Sequence, residues 1–252
     1  MNLNTLFVGN VVQHFEVISS TNAYAINLLA KTAPSEGTVI SAAYQDAGRG
    51  QIGSSWTATA GKNLLLSVIL YPKWLIARQQ FSLSQAVSLA VADTISTLSG
   101  KEAMVKWPND VYLQEKKLAG ILIQNSLTGS YLQWSVIGIG LNVNEQGFPS
   151  ELTRAGSLLL NTGEEQDLQK VQQLFFQRLE HRYLQLKSNP RIIKRDYLSK
   201  LYRYQEWHEF VESATGQRFT GQIIGVQENG KLAIQKEDTS VQYFDLKEVQ
   251  FT

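Results

Sequence analysis

The sequence predicts an α/β protein of the α+β type, in which helices flank a mixed, largely antiparallel sheet and a small β-barrel follows at the C-terminus. Apolar runs of strand length are interspersed with long stretches of helical periodicity before about residue 205. After Trp207, short strand-like segments are separated only by turn sequences, and Asn229-Gly230 is a strong hairpin signal. We therefore expect two domains, residues 1–204 and residues 205–252.

Each element follows from a local pattern. Ser20 stands just before a mixed apolar run, as a helix N-cap does. Helical spacing of apolar residues over 79–98 ends at Gly100, a natural helix stop. A second helix is predicted over 167–186, and a shorter one after Pro190. The predicted strands lie at residues 37–44, 63–71, 104–107, 110–113, 120–125, 134–143, 209–213, 218–226, 231–236 and 241–246.

Composition excludes several classes of function. The 252 residues carry a formal net charge of +1, which gives no general reason to expect nucleic-acid binding. The chain has no cysteine, so thiol nucleophiles, disulfides and cysteine-bound metals are excluded, and a cytoplasmic location is permitted. The first residues do not resemble a signal peptide, and no apolar run reaches the length of about 20 residues that crosses a bilayer. We expect a protein that does not bind membranes.

Arg49 lies between two glycines in a loop that follows a predicted strand. Glycine lets a backbone approach a ligand closely, and the arginine fork suits carboxylate or phosphate oxygens. The alternative is an ordinary turn with a solvated arginine. On its own the motif does not decide between the two.

The segment KWPND, residues 106–110, is more informative because Pro108 cannot donate within a sheet and must sit at a strand end or bulge. Asn109 and Asp110 are then expected to face a cleft, the alternative being a turn with Trp107 in the core. Lys117, in KKLAG one short hairpin later, is either a fixed cation beside small residues or a hairpin decoration.

In their order and spacing, the segments YQDAGRG, KWPND, KKLAGIL and GIGLNVN make this chain resemble the biotin–protein ligase family. The resemblance covers about residues 15 to 145, and the small C-terminal β-domain matches the family's layout. It implies a catalytic fold like that of class II aminoacyl-tRNA synthetases and an SH3-like barrel. Too few residues precede His14 for the helix-turn-helix that some relatives carry, so we expect the monofunctional type, which does not bind DNA.

The resemblance implies an ATP-dependent ligase with two half-reactions. Biotin is activated as biotinyl-5′-AMP, and the biotinyl group then passes to a specific lysine of a biotin carboxyl carrier protein. ATP and Mg²⁺ would be required, with Mg²⁺ bound mainly by phosphate oxygens and water rather than by a dedicated protein site. A homodimer is compatible with the sequence.

By the same resemblance, Arg49 and Lys117 would bring the two anions together, and Asp110 would orient or deprotonate the incoming lysine. The residues implied for biotin binding are Ser20, Thr21, Asn22, Gln45, Gly48, Arg49, Lys117 and Gly120. Those implied for nucleotide binding are Gly50, Gln51, Trp56, Lys106, Asn109, Asp110 and Asn142.

One departure concerns the glycine loop, where many relatives continue with basic residues and this chain has Gln51, Ile52 and Ser54. We expect weaker retention of the adenylate, to be tested by comparing its dissociation from the native chain and from Gln51→Arg. The three histidines are scattered along the chain, at His14, His181 and His208. Their spacing is not that of metal ligands, so we interpret them as structural or surface residues.

Three other functions remain open at this point. A lipoate–protein ligase shares the adenylation logic and the catalytic fold, and an acceptor assay with each cofactor distinguishes the two. A non-catalytic sensor of biotin or nucleotide would release no pyrophosphate. A nucleic-acid-binding module is disfavoured by the balanced charge.

Overall fold

The protein is described by a computed structural model covering residues 5–51 and 53–252, so Ile52 lies outside the described residues. Its larger sheet has seven strands in the order β1-β2-β3-β7-β6-β5-β4. These strands are β1 (Val12–Ile18), β2 (Val39–Gln45), β3 (Leu64–Leu70), β4 (Ala103–Lys106), β5 (Asp110–Leu113), β6 (Lys116–Thr128) and β7 (Tyr131–Leu141). Only β1 and β2 run parallel, so the predicted mixed and largely antiparallel sheet is confirmed.

Helices flank this sheet. They are α1 (Thr21–Lys31), α2 (Phe81–Ser99), α3 (Leu158–Thr162), α4 (Leu168–Ser188) and α5 (Pro190–Ser199). The predicted signals are confirmed: Ser20 caps α1, Gly100 ends α2 at a φ of 67°, and Pro190 opens α5. Every residue of β3 is buried, because helices cover one face of the sheet and α1 packs on the other.

A second, five-stranded antiparallel sheet follows, with the order β11-β10-β9-β8-β12. Its strands are β8 (Trp207–Glu212), β9 (Arg218–Val226), β10 (Leu232–Lys236), β11 (Val241–Phe244) and β12 (Val249–Phe251). It contacts the first sheet directly, since Trp107 Nε1 donates to the Gly230 carbonyl at 2.8 Å. The hairpin predicted at Asn229 and Gly230 joins β9 to β10.

Sequence patterns did not predict β1, α3 and β12. β1 is an edge strand whose residues are all exposed or only partly buried, so it lacks the apolar signal of a core strand. The helix α3 has five residues and β12 has three, which is too short for a periodicity to emerge. In the described part of the chain, no helix is both long enough and apolar enough to cross a membrane.

Candidate active site

A cleft of about 220 Å³ lies where the start of α1, the loop after β2 and the strands β5, β6 and β7 meet. Most of the residues predicted for the site line this cleft: Ser20, Thr21, Asn22, Gln45, Arg49, Gly50, Gln51, Trp56, Asn109, Asp110, Lys117 and Gly120. They come from five separate segments of the sequence. The structure therefore brings the motifs together in one place, as their resemblance to a single family implied.

One end of the cleft is a buried network of uncharged polar groups at the start of α1. The backbone nitrogen and hydroxyl of Thr21 donate to Gln45 Oε1 at 2.8 and 3.1 Å. The Asn22 amide donates to the Leu122 carbonyl and to Gln124 Oε1, at 3.2 and 3.0 Å. Paired donors and acceptors without net charge suit a neutral amide or urea rather than an ion.

Ser67 belongs to this network and was not predicted. Its hydroxyl donates to Asn22 Oδ1 at 2.6 Å and lies 2.7 Å from Thr21 Oγ1. Ser67 is fully buried in β3, where its neighbours in the sequence are all apolar. A single hydroxyl within an apolar core strand needs a buried hydrogen-bond partner, and this need was the signal in the sequence that could have identified Ser67.

The glycine loop, residues 48–56, folds back on itself beside the cleft. The Gly50 nitrogen donates to the Ser54 carbonyl at 2.8 Å, and the Trp56 nitrogen donates to the Gly48 carbonyl at 3.0 Å. Gly48 is buried beneath the Trp56 carbonyl and does not line the cleft, so in this structure it shapes the loop, and its contact with biotin stays a prediction. Arg49, in contrast, is exposed at the cleft.

The indole of Trp56 rests in a notch formed by Gly120 of β6 and Gly140 of β7, which face each other across the sheet. A Cβ at either glycine would come too close to the indole ring, so both positions require glycine while Trp56 is there. Trp56 Nε1 is buried and has no hydrogen-bond partner among the described residues. The ring separates the cleft from a second cavity, which it also lines.

This second cavity has a volume of about 360 Å³. The segment between β7 and α3 supplies much of its wall, with Phe148 and Leu152 as apolar members and Arg154 as a cation. Asn142 lines this cavity rather than the cleft, and its amide donates to the Gly156 carbonyl at 3.0 Å. Sequence reasoning predicted Asn142 but missed the rest of this wall, because residues 145–156 have little regular secondary structure and no motif.

Lys117 and Asp110 form an ion pair at the cleft, with 2.6 Å between Nζ and Oδ1. Their side chains are 34% and 24% exposed, so the pair is only partly solvated. Asp110 opens β5 directly after Asn109, whose amide donates to the Ile121 carbonyl at 2.6 Å. Asn109 and Asp110 thus face the cleft as expected, although Trp107 is a core residue, as in the alternative interpretation.

Lys106, predicted to border the nucleotide, lies just outside both cavities, and its nucleotide contact stays a prediction. It lines neither cavity, and its ammonium lies over the rings of Tyr112 and Phe251, 5.2 and 4.9 Å from their centres. Burial, together with the nearby Arg154, lowers the pKa of Lys106 to about 8. Strand position predicted the neighbourhood of this residue but not the aromatic rings that cover it.

A buried carboxylate, which sequence reasoning did not predict, anchors the segment that follows the glycine loop. Glu145 accepts hydrogen bonds from the nitrogen and hydroxyl of Thr59, at 3.0 and 2.6 Å, and from the Asn63 amide at 2.7 Å. Burial alone would raise the pKa of Glu145, but these hydrogen bonds outweigh it and lower the pKa below its ordinary value.

The histidines do not gather at the cleft. His14 Nδ1 lies 3.0 Å from the Ser41 hydroxyl, and His208 pairs with Glu206. In residues 5–51 and 53–252, no group of three or more acidic, histidine or cysteine side chains is arranged to hold a metal ion.

Comparison with known proteins gives a consistent result. Residues 14–142 match the biotin/lipoate A/B protein ligase family. The bifunctional ligase/repressor BirA of Bacillus spizizenii is 30% identical over 249 residues, covering 94% of this chain and 73% of that protein. The biotin–[acetyl-CoA-carboxylase] ligase of Mycobacterium tuberculosis is 30% identical over 234 residues, covering 90% of this chain and 85% of that protein. The chain spans from 46% to 73% of four bifunctional ligase/repressors that it matches.

The fold is similar to that of a solved ligase. The structure of the biotin protein ligase from Aquifex aeolicus, in complex with biotin and ATP, matches with a TM-score of 0.78 and 26% identity. The match covers 96% of this chain and 100% of that one, so it includes both sheets.

Proposed function

Because the chain belongs to the biotin/lipoate A/B protein ligase family, we propose that it activates biotin with ATP and transfers the biotinyl group to a lysine of a biotin carboxyl carrier protein. The enzyme is an ATP-dependent ligase that forms an amide through an acyl-adenylate. One observation carries the proposal: the two cations Arg49 and Lys117 line the same cleft as the neutral hydrogen-bond network. That arrangement serves a ligand with a neutral head and an acid group beside a second anion.

In the first half-reaction, a biotin carboxylate oxygen attacks the α-phosphorus of ATP and the bond to the β-phosphate breaks, releasing pyrophosphate. The carboxylate is already a nucleophile, so no base is needed. The barrier comes from bringing two anions together, and fixed cations lower it. Arg49 and Lys117 have this role, while Ser20, Thr21 and Gln45 hold the ureido ring.

The nucleotide lies on the side of the cleft that Trp56 closes. The second cavity has apolar walls at Phe148 and Leu152 and lies directly behind the indole, so it suits the adenine base. Asn109 and Asp110 would border the nucleotide, and a Mg²⁺ ion bound mainly by phosphate oxygens and water would lower the negative charge of the phosphates.

In the second half-reaction, the lysine amine of the carrier attacks the acyl carbon of the adenylate, AMP leaves, and the amine loses a proton. Asp110 is the carboxylate at the cleft that would orient the amine and accept this proton. It can do so only after Lys117 has turned towards the phosphate, because the two are paired in this structure. We also propose the division into domains at residues 1–204 and 205–252, and a cytoplasmic location, which suits a chain without cysteine.

The test is to incubate the protein with biotin, ATP, Mg²⁺ and a biotin carrier domain and to weigh the carrier by mass spectrometry. Addition of one biotinyl group is expected. The replacement Lys117→Met should abolish formation of biotinyl-adenylate. Lys170→Met is the matched control, because Lys170 is an exposed residue of α4 that lines neither cavity.

Adenylate formation at the wild-type rate in Lys117→Met would contradict the assigned role of the lysine. Lipoate in place of biotin, with a lipoyl domain as acceptor, tests the nearest alternative. Modification of that domain, with no modification of the biotin carrier, would show that the substrate is lipoate.

A further inference from the structure

A turn of the second sheet reaches the cleft of the first domain. Residues 245–248 join β11 to β12, and the Glu248 nitrogen donates to the Asp245 carbonyl at 3.1 Å. The Asp245 nitrogen donates in return to Glu248 Oε2 at 2.6 Å. Lys247, the third residue of this turn, lines the cleft together with Arg49 and Lys117.

The same turn lies beside the glycine loop and the KWPND segment. Asp245 and Leu246 line a small cavity in common with Gln51 and Asn109, both of which also border the cleft. Residues far apart in the sequence therefore form one wall.

Lys247 adopts a backbone conformation that lysine rarely takes. Its φ is 64°, in the left-handed region where glycine is at ease and a Cβ is disfavoured. A glycine would form this turn with less strain, so the turn itself does not require a lysine. Strained residues of this kind occur preferentially at binding sites.

Among the described residues, four charged side chains line the cleft. They are the cations Arg49, Lys117 and Lys247 and one carboxylate, Asp110, which already pairs with Lys117. The remainder of the glycine loop, residues 48–56, contains no other charged side chain. A nucleotide triphosphate and a carboxylate bound together carry more negative charge than two cations offset, and a third cation at the rim meets that need.

We propose that Lys247 binds the phosphate chain of the nucleotide, so that the C-terminal sheet completes the anion site of the catalytic domain. The proposal rests on the ligase function given above. The role is one of substrate binding, which predicts an effect on the affinity for ATP and little effect on the affinity for biotin.

The test uses Lys247→Gly, which removes the charge and keeps, or relaxes, the turn. Lys247→Arg keeps the charge, and Thr239→Gly is the matched backbone control, because Thr239 has a φ of 68° in another turn of the same sheet. ATP binding is measured by calorimetry on the full chain, with melting temperature alongside. We expect Lys247→Gly to bind ATP about fivefold more weakly, the effect of one partly solvated charge contact.

Lys247→Arg and Thr239→Gly should bind ATP as the wild type does, and the deficit of Lys247→Gly should shrink at high salt because a charge contact is screened. Unchanged ATP affinity in Lys247→Gly, with normal adenylate formation, would overturn the proposal and leave the ligase function intact. An equal loss in Lys247→Arg would also overturn it, since the charge would then not be the cause. A wild-type chain that forms no biotinyl-adenylate would instead refute the ligase function on which the proposal rests.

Discussion

The replacement Asp110→Asn should affect the two half-reactions in opposite directions. In the structure the Asp110 carboxylate holds the Lys117 ammonium at 2.6 Å, and the side chains are 34% exposed for the lysine and 24% for the aspartate. To contact an incoming carboxylate and phosphate, the ammonium must give up this partner. The amide of asparagine is isosteric but carries no charge, so it releases Lys117 at a lower cost.

The size of each effect follows from this geometry. A partly solvated ion pair contributes about 1 kcal/mol, so its loss should lower the KM for ATP in adenylate formation about fivefold. The second half-reaction loses the group that orients and deprotonates the acceptor amine, which typically costs about 10²- to 10⁴-fold in rate.

The two steps are measured separately. Adenylate formation is followed by pyrophosphate release in a single turnover, and transfer is followed with added biotinyl-adenylate and a carrier domain. Asp238→Asn, in an exposed turn of the second sheet that lines neither cavity, is the control for a lost carboxylate. A parallel loss in both steps would refute the reasoning, because it would mean that Asp110 supports the fold of the site and not one step.

Three further predictions follow. Gly138→Ala should raise the KM for biotin about tenfold, since a Cβ there would meet the Asn22 amide. Gly140→Ala should instead raise the KM for ATP, because a Cβ there would displace Trp56. Equal effects of either variant on both substrates would contradict this assignment. Glu145→Gln should lower the free energy of unfolding by about 1–2 kcal/mol at pH 7 and should make that free energy fall less in acid. The reason is that a carboxylate with a lowered pKa stabilises the fold above its ordinary pKa and stops doing so as the pH falls through the lowered value. Urea denaturation at a series of pH values measures this, and parallel curves of stability against pH for the two proteins would refute it. The pKa of Lys106 is lowered to about 8, so this lysine keeps its proton to higher pH in the unfolded chain than in the folded one. The stability of the wild type relative to Lys106→Met should therefore rise by about 1 kcal/mol between pH 7 and pH 10, after discounting for solvent screening. A difference in stability that stays constant over this range would contradict the prediction.

The parts of the fold that sequence reasoning predicted are those with strong local signals. The helix α2 has 19 residues of consistent periodicity, and Gly100 marks its end. The glycine-bounded strands and the hairpin at Asn229 are equally local. β1 was not predicted because it is held in place by parallel pairing with β2. The connection between these two strands contains the whole of α1, so the pairing leaves no local signal in the sequence.

The site divides in the same way. Arg49, Asp110 and Lys117 stand in motifs that resemble those of a family, so their place at a common site could be predicted without coordinates, and they line one cleft. Ser67 and Glu145 could not, because each acts through partners that are many residues distant in the sequence, and a lone polar residue does not name its partner. Lys106 stands within the motif, but its contact with Phe251, at the other end of the chain, could not be predicted from the motif.

The distribution of charge explains why a single carboxylate matters so much at this site. Arg49, Lys117 and Lys247 repel one another across one cleft, and like charges held together lower the stability of the free protein. Asp110 offsets part of this repulsion by pairing with Lys117, in the place that an anionic substrate would take. In the proposed mechanism the carboxylate is displaced from the lysine when the phosphate arrives, and it is then available to the acceptor amine. In this proposal the ion pair between Lys117 and Asp110 sets the order of the two half-reactions, because the second step requires the Asp110 carboxylate that the first step releases.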